Sequence, residues 1–137
     1  MKRKIILVAL MATIASTVII GQKISSEKIP LEVKQSFEKS YPNAKNTKWD
    51  KEGDNAYEAS FKLNADELSV VIDKKGQISE IEKEIPFSML PLAVQTALKG
   101  KKVKEAAIIT KGGKTMYEAE VNGKDLIFDG NGKKMHN

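Results

Sequence analysis

Glu80, Glu82 and Glu84 alternate with Ile81 and Lys83, so on an extended strand the three carboxylates line one face. Like charges at that spacing either hold a cation or substrate between them or stand in water, where they keep a strand edge from pairing with another molecule. The sole histidine, His136, is the penultimate residue, and there is no cysteine. Ser-His and Cys-His nucleophilic triads therefore lack their base, and zinc sites of imidazole and thiolate lack their ligands. An enzyme built on this chain would have to run on carboxylates alone, and no catalytic, cofactor-binding or metal-ligating residue is assigned.

Two glycine-rich stretches look like ligand loops and are better read as turns. Asp129-Gly130-Asn131-Gly132 begins like a calcium loop but lacks the full spacing of oxygen ligands and the closing bidentate Glu. It matches Asp73-Lys74-Lys75-Gly76, and in both the glycine supplies a positive φ between strands. Lys111-Gly112-Gly113-Lys114 opens no helix, as a phosphate loop must, and sits where a hairpin turn is expected. Phe37 and Phe61 read as core. Trp49, Tyr57 and Tyr117 fit either a core or a contact surface, where amphipathic rings are enriched.

The elements that must position these residues occur twice. Ile29-Pro30 with Val33 and Phe37 matches Leu90-Pro91 with Val94 and Leu98 at an offset of 61. Tyr57-Glu58-Ala59 matches Tyr117-Glu118-Ala119 at an offset of 60, and Ile72-Asp73 with Gly76 matches Phe128-Asp129 with Gly132 at an offset of 56. The offset shrinks only between elements, as when loops shorten and packed segments keep their lengths.

Each copy predicts one helix followed by strands. Val33, Phe37 and Tyr41 recur every four residues as one apolar stripe; Pro30 fits the first turn and Pro42 stops the helix. In the second copy Leu90, Val94, Ala97 and Leu98 form the stripe, Ser88 is a candidate cap and Gly100 ends the helix. Tyr57, Ala59, Phe61 and Leu63 alternate with Glu58, Ser60 and Lys62, the period of a strand with one dry and one wet face. Tyr117, Ala119 and Val121 alternate with Glu118 and Glu120 in the same way. Further strands are expected near Thr47–Lys51, Leu68–Asp73, Ile78–Ile85, Ala106–Thr110 and Asp125–Asp129, joined as antiparallel hairpins. Helices this short must gain their stability by docking on the sheet.

At the amino terminus Met1-Lys2-Arg3-Lys4 precedes an apolar run from Ile5 to Ile20, the order of a secretory signal peptide. The run is shorter than the roughly 20 apolar residues a spanning helix needs, so residues 1–21 read as a cleaved leader, with no stable membrane insertion afterwards. Cleavage leaves 20 Lys+Arg against 18 Asp+Glu from the 23 and 18 of the whole chain. Lys and Glu are interspersed, without the dense basic face of a nucleic-acid binder. With no thiol to crosslink, the fold must hold by its core alone.

These residues resemble the PepSY-like, beta-lactamase-inhibitor-like family of small exported proteins of Bacteroidetes-type bacteria. The resemblance rests on Ile29-Pro30, Val33, Phe37, Tyr41-Pro42-Asn43-Ala44, Trp49, Tyr57-Glu58-Ala59-Ser60-Phe61 and Ile72-Asp73-Lys74-Lys75-Gly76. Leu90-Pro91, Tyr117-Glu118-Ala119 and Phe128-Asp129-Gly130-Asn131-Gly132 carry it into the second copy, which lacks the Tyr-Pro and any match to Trp49. It implies tandem units of helix and antiparallel sheet, no known catalytic residues, and a role in binding or inhibiting another envelope protein. Fold alone does not license that role.

The expected protein is thus α+β, two tandem repeats each with a helix packed on an antiparallel sheet, at residues 22–86 and 87–137, forming one compact domain. It is a non-enzymatic binding module, periplasmic or secreted, whose partner is an envelope or secreted protein. Trp49, Glu58, Lys62, Glu118 and Glu120 are the candidate partner-binding residues. The alternative is a small-ligand or metal-binding periplasmic protein using Glu80, Glu82 and Glu84 or a cleft between the repeats.

Overall fold

Proline sets the start of both helices. Pro30 and Pro91, with φ of −55° and −53°, cap α1 (Leu31–Ser40) and α2 (Leu92–Ala97). Their fixed φ suits the entry, and the missing N–H would have had no partner there. Ser88 is not a cap: it lies in a 3₁₀ turn, Phe87–Met89, and no side chain caps α2. The proline already fixes the helix entry, while Gln95 Nε2 reaches back to donate to Leu90 O at 2.8 Å.

The computed structural model describes residues 22–136, so the proposed leader at residues 1–21 lies outside the described residues. Eight strands follow one another in a single antiparallel sheet in chain order: β1 (Gln22–Lys23), β2 (Lys45–Glu52), β3 (Ala56–Leu63), β4 (Asp66–Asp73), β5 (Ile78–Glu84), β6 (Val103–Lys111), β7 (Lys114–Val121) and β8 (Lys124–Phe128). Strand β5 pairs with β4 on one side and β6 on the other. It closes the first repeat and opens the second, so the ladder crosses between repeats without a break.

The two repeats bury most of the same positions, although Tyr117 and Leu126 are only partly buried where Tyr57 and Val70 are buried. On the helix-bearing face Ile29, Val33 and Phe37 meet Tyr57, Ala59, Phe61, Val70 and Ile72; Leu90, Val94 and Leu98 meet Ala106, Ala119, Val121 and Phe128. The registers agree as well: Tyr57 pairs with Ile72 and Ala59 with Val70, as Tyr117 pairs with Phe128 and Ala119 with Leu126. Val33 and Val94, one helical turn inside each proline, are fully buried, and each such side chain contributes roughly 1.5–3 kcal/mol.

Each strand pair also returns a turn to its own helix. Asp73 Oδ1 accepts the amides of Lys75 and Gln77 at 2.8 and 2.9 Å, and Asp129 Oδ1 accepts those of Asn131 and Lys133 at 2.9 and 3.0 Å. These turns bring Gly76 and Gly132, at φ of +81° and +79°, against the first turns of α1 and α2. A Cβ on Gly76 would stand 2.9 Å from the Glu32 carbonyl oxygen, and one on Gly132 would collide with the Ala93 carbonyl. Glycine is therefore required both for the left-handed backbone and for the close approach.

Candidate functional site

The sheet face opposite the helices is where charge and burial disagree. Cross-strand register puts Asp50, Glu58, Val71, Glu80, Lys111 and Lys114 in one transverse row. The next row is Lys48, Ser60, Ser69, Glu82, Ile109 and Met116. A third holds Lys62 opposite Glu67 on β3 and β4, and Glu84, Ala107, Glu118 and Ile127 on β5 to β8. This open face therefore carries both glutamates of the duplicated Tyr-Glu-Ala strand and the Glu80, Glu82, Glu84 run. The sequence presents these as two separate sets; the pairing of β5 with β6 makes them one surface.

Its charges are unequally satisfied. Glu80 Oε2 lies 2.8 Å from Lys111 Nζ, Glu67 Oε1 lies 3.2 Å from Lys62 Nζ, and Glu120 Oε1 lies 3.4 Å from Lys104 Nζ. Among the described residues, no lysine stands within ion-pair distance of Glu58, Glu82 or Glu118. All three are half-buried, beside Val71, Ile109, Ala107 and Ile127 of the same rows. Ala107 and Ile109 are each only 5% exposed although no helix covers this face.

Burial and mutual repulsion oppose ionisation there. Burial first, then the charges of Glu58 and Glu80, push the Glu82 carboxyl up to about 7. Burial and then Glu82 and Asp125 push Glu118 up to about 8. Burial also raises Glu58, against a hydrogen bond from Ser69. Glu82 and Glu118 therefore hold their protons up to near neutrality.

Of the residues predicted to meet a partner, Glu58, Lys62, Glu118 and Glu120 lie on this face, with Lys62 and Glu120 already engaged with Glu67 and Lys104. Trp49 does not join them. It pairs with Ala59 on the helix-bearing face, is only 8% exposed and packs edge-on to Phe37 with ring centroids 5.2 Å apart. Phe37 in turn meets Phe61 edge-on with centroids 5.0 Å apart, and Tyr41 lies tilted against Phe61 at 4.7 Å. Trp49 is therefore a core residue of the first repeat, and its edge reaches only a groove of about 320 Å³ between α1 and β2.

Among the described residues no three acidic or imidazole side chains converge to hold a metal ion, and no buried side-chain polar atom lacks a partner. A cleft of about 630 Å³ beside Pro86 and Phe87 is wide open, and its Lys62, Glu67, Lys104 and Glu105 pair with one another.

Comparison with known proteins assigns the fold. A family model described as beta-lactamase-inhibitor-like and PepSY-like matches the chain twice, over residues 18–80 and 55–136. A BLIP-like protein from Bacteroides fragilis is 26% identical, with a TM-score of 0.61 over 77% of this chain and 82% of that one. A DUF2874 family protein from Bacteroides uniformis is 20% identical, with a TM-score of 0.67 over 78% and 86%. A Bacteroides eggerthii protein, described as a candidate periplasmic protein, is 18% identical with a TM-score of 0.66 over 78% and 86%. No protein of curated function matches the sequence. Two matches to one model, on a sheet whose two halves share register, most buried positions and turn chemistry, place this chain in the beta-lactamase-inhibitor-like, PepSY-like family.

Proposed function

We propose that the protein is a non-enzymatic, exported binding protein of the cell envelope whose open sheet face docks a cationic surface of a protein partner. The observation that carries this reading is the trio Glu58, Glu82 and Glu118, half-buried and without a lysine among the described residues. A lysine or arginine supplied by the partner would neutralise these carboxylates, and charge-assisted hydrogen bonds formed away from water are the strong ones. Val71, Ile109, Met116 and Ile127 intersperse apolar area between them, the mixture that interfaces use. The basic head and apolar run of residues 1–20 support export. The inhibitor-like description of the family and the BLIP-like neighbour support binding as opposed to catalysis.

The test is retention of envelope proteins on the immobilised protein at low and moderate salt, side by side with the Glu82→Gln/Glu118→Gln variant. Glutamine keeps shape and hydrogen bonding while removing the charge. A partner held by the native protein, released by salt and missed by the variant supports the reading. Retention of nothing above background, or identical retention by both, overturns it.

A further inference from the structure

The segment from Pro86 to Lys104 contains no acidic residue and four lysines, Lys99, Lys101, Lys102 and Lys104. Its apolar side chains divide into two sets. Leu90, Val94 and Leu98 go to the core, whereas Phe87, Met89 and Leu92 are 42%, 63% and 78% exposed. The 3₁₀ turn holding Phe87 and Met89 is tied to α2 by Gln95 Nε2, which donates to Leu90 O and Ser88 O. The turn that seats Gly132 on Ala93 brings Lys133 to the same helix.

The first repeat shows that this is not a demand of the fold. Leu31 matches Leu92 and is also exposed. However, Ser26 and Lys28 stand where the second repeat has Phe87 and Met89, and Glu27, Glu32 and Glu38 intersperse negative charge. Only the second repeat sets Phe87, Met89 and Leu92 in water next to a run of exposed lysines, Lys99, Lys101 and Lys102; Lys104 is engaged with Glu105 and Glu120, and Glu84 and Glu105 line the cleft beside Phe87.

We propose that this side of the second repeat docks on an anionic lipid bilayer. Phe87, Met89 and Leu92 are short probes suited to the headgroup–acyl boundary, and the lysines, with long apolar stems, suit the phosphate layer above it. No helix of the described residues is long and apolar enough to cross a membrane, so the contact is interfacial. The acidic sheet face of a second copy is the rival occupant, but a helix-side-to-sheet-face contact is head-to-tail and need not close. The proposal uses Met89, Leu92 and the lysines around α2, on the helix-bearing side of the sheet, and does not depend on the role of Glu58, Glu82 and Glu118.

The test is flotation of residues 22–137, which contain both core clusters, with vesicles of roughly one-third phosphatidylglycerol in phosphatidylcholine and with pure phosphatidylcholine vesicles. Binding is expected to the first and to be at least about tenfold weaker to the second, and to fall with salt. Met89→Glu/Leu92→Glu should weaken it by about tenfold or more, and Lys101→Gln or Lys102→Gln by roughly fivefold each. Leu31→Glu, at the matching exposed position, should leave it unchanged. Three results would overturn the proposal: no flotation with the anionic vesicles, flotation indifferent to Met89→Glu/Leu92→Glu, or self-association in sedimentation abolished by that variant.

Discussion

Glu118 on β7 and Glu82 on β5 look out from the same side of the sheet across a single strand, and the nearly covered Ala107 and Ile109 of that strand lie between them. Neither has a cation within ion-pair distance among the described residues. Two carboxyls that keep protons to about 8 and about 7 make the open face a proton-linked surface.

That linkage has a definite sign. Both pKa values are raised from 4.5, so the folded state binds more protons than the unfolded state between about pH 4.5 and 8. Stability is therefore highest below this window and falls as pH rises through it. With both groups partly solvated, the combined effect is on the order of 1–3 kcal/mol. Melting followed by circular dichroism should show a lower midpoint at pH 8 than at pH 5. Glu82→Gln/Glu118→Gln should remove most of the difference by raising stability at pH 8. An equal midpoint shift in that variant would refute the assignment.

The turn glycines separate close approach from backbone conformation. Gly132→Ala and Gly76→Ala meet helix carbonyls, whereas Gly100→Ala, at φ +78°, meets nothing within 4 Å. Urea denaturation should give about 1 kcal/mol lost for Gly100→Ala and roughly 2–4 kcal/mol for the other two. Equal losses at all three sites would show that the turns do not press on the helices.

Trp49 is the only tryptophan, which makes its burial directly readable. Its emission should be blue-shifted and resist quenching by iodide. Trp49→Ala should destabilise the fold by about 3–5 kcal/mol while leaving the open face intact. A red-shifted, readily quenched emission would return Trp49 to the surface.

Divalent cations offer a discriminating control. Glu80 is committed to Lys111 and no metal-holding cluster exists among the described residues. The melting midpoint should stay unchanged in calcium, magnesium or zinc, whereas a ligand specific to the folded state would raise it.

The repeat, the helices and most strands can be read from the chain because their signals are local. Proline before a four-residue stripe, alternation in Tyr57–Leu63, and an Asp with a Gly three residues on each act within one turn or hairpin. The face of Trp49 was not legible, since Lys48, Asp50 and Lys51 around it give no alternation. Its side is decided by pairing with Ala59, beyond the bulge between Lys45 and Lys48. The acidic surface needed information no local pattern holds: that β5 would pair with β6 and place Glu82 and Glu118 on one face. One sign was available in Ala106-Ala107-Ile108-Ile109, where alternation fails because β6 buries side chains on both faces, Ala106 toward the helices and Ala107 and Ile109 on the open face.

The open face, and not the helix side, is the surface proposed to meet the partner. A photo-crosslinking residue placed at Met116 on the open face, and in a separate protein at Gln35 on the exposed side of α1, reads this out in living cells. A discrete adduct is expected from position 116, suppressed by Glu82→Gln/Glu118→Gln, and none from position 35. An adduct from position 35 with none from position 116 would contradict that assignment.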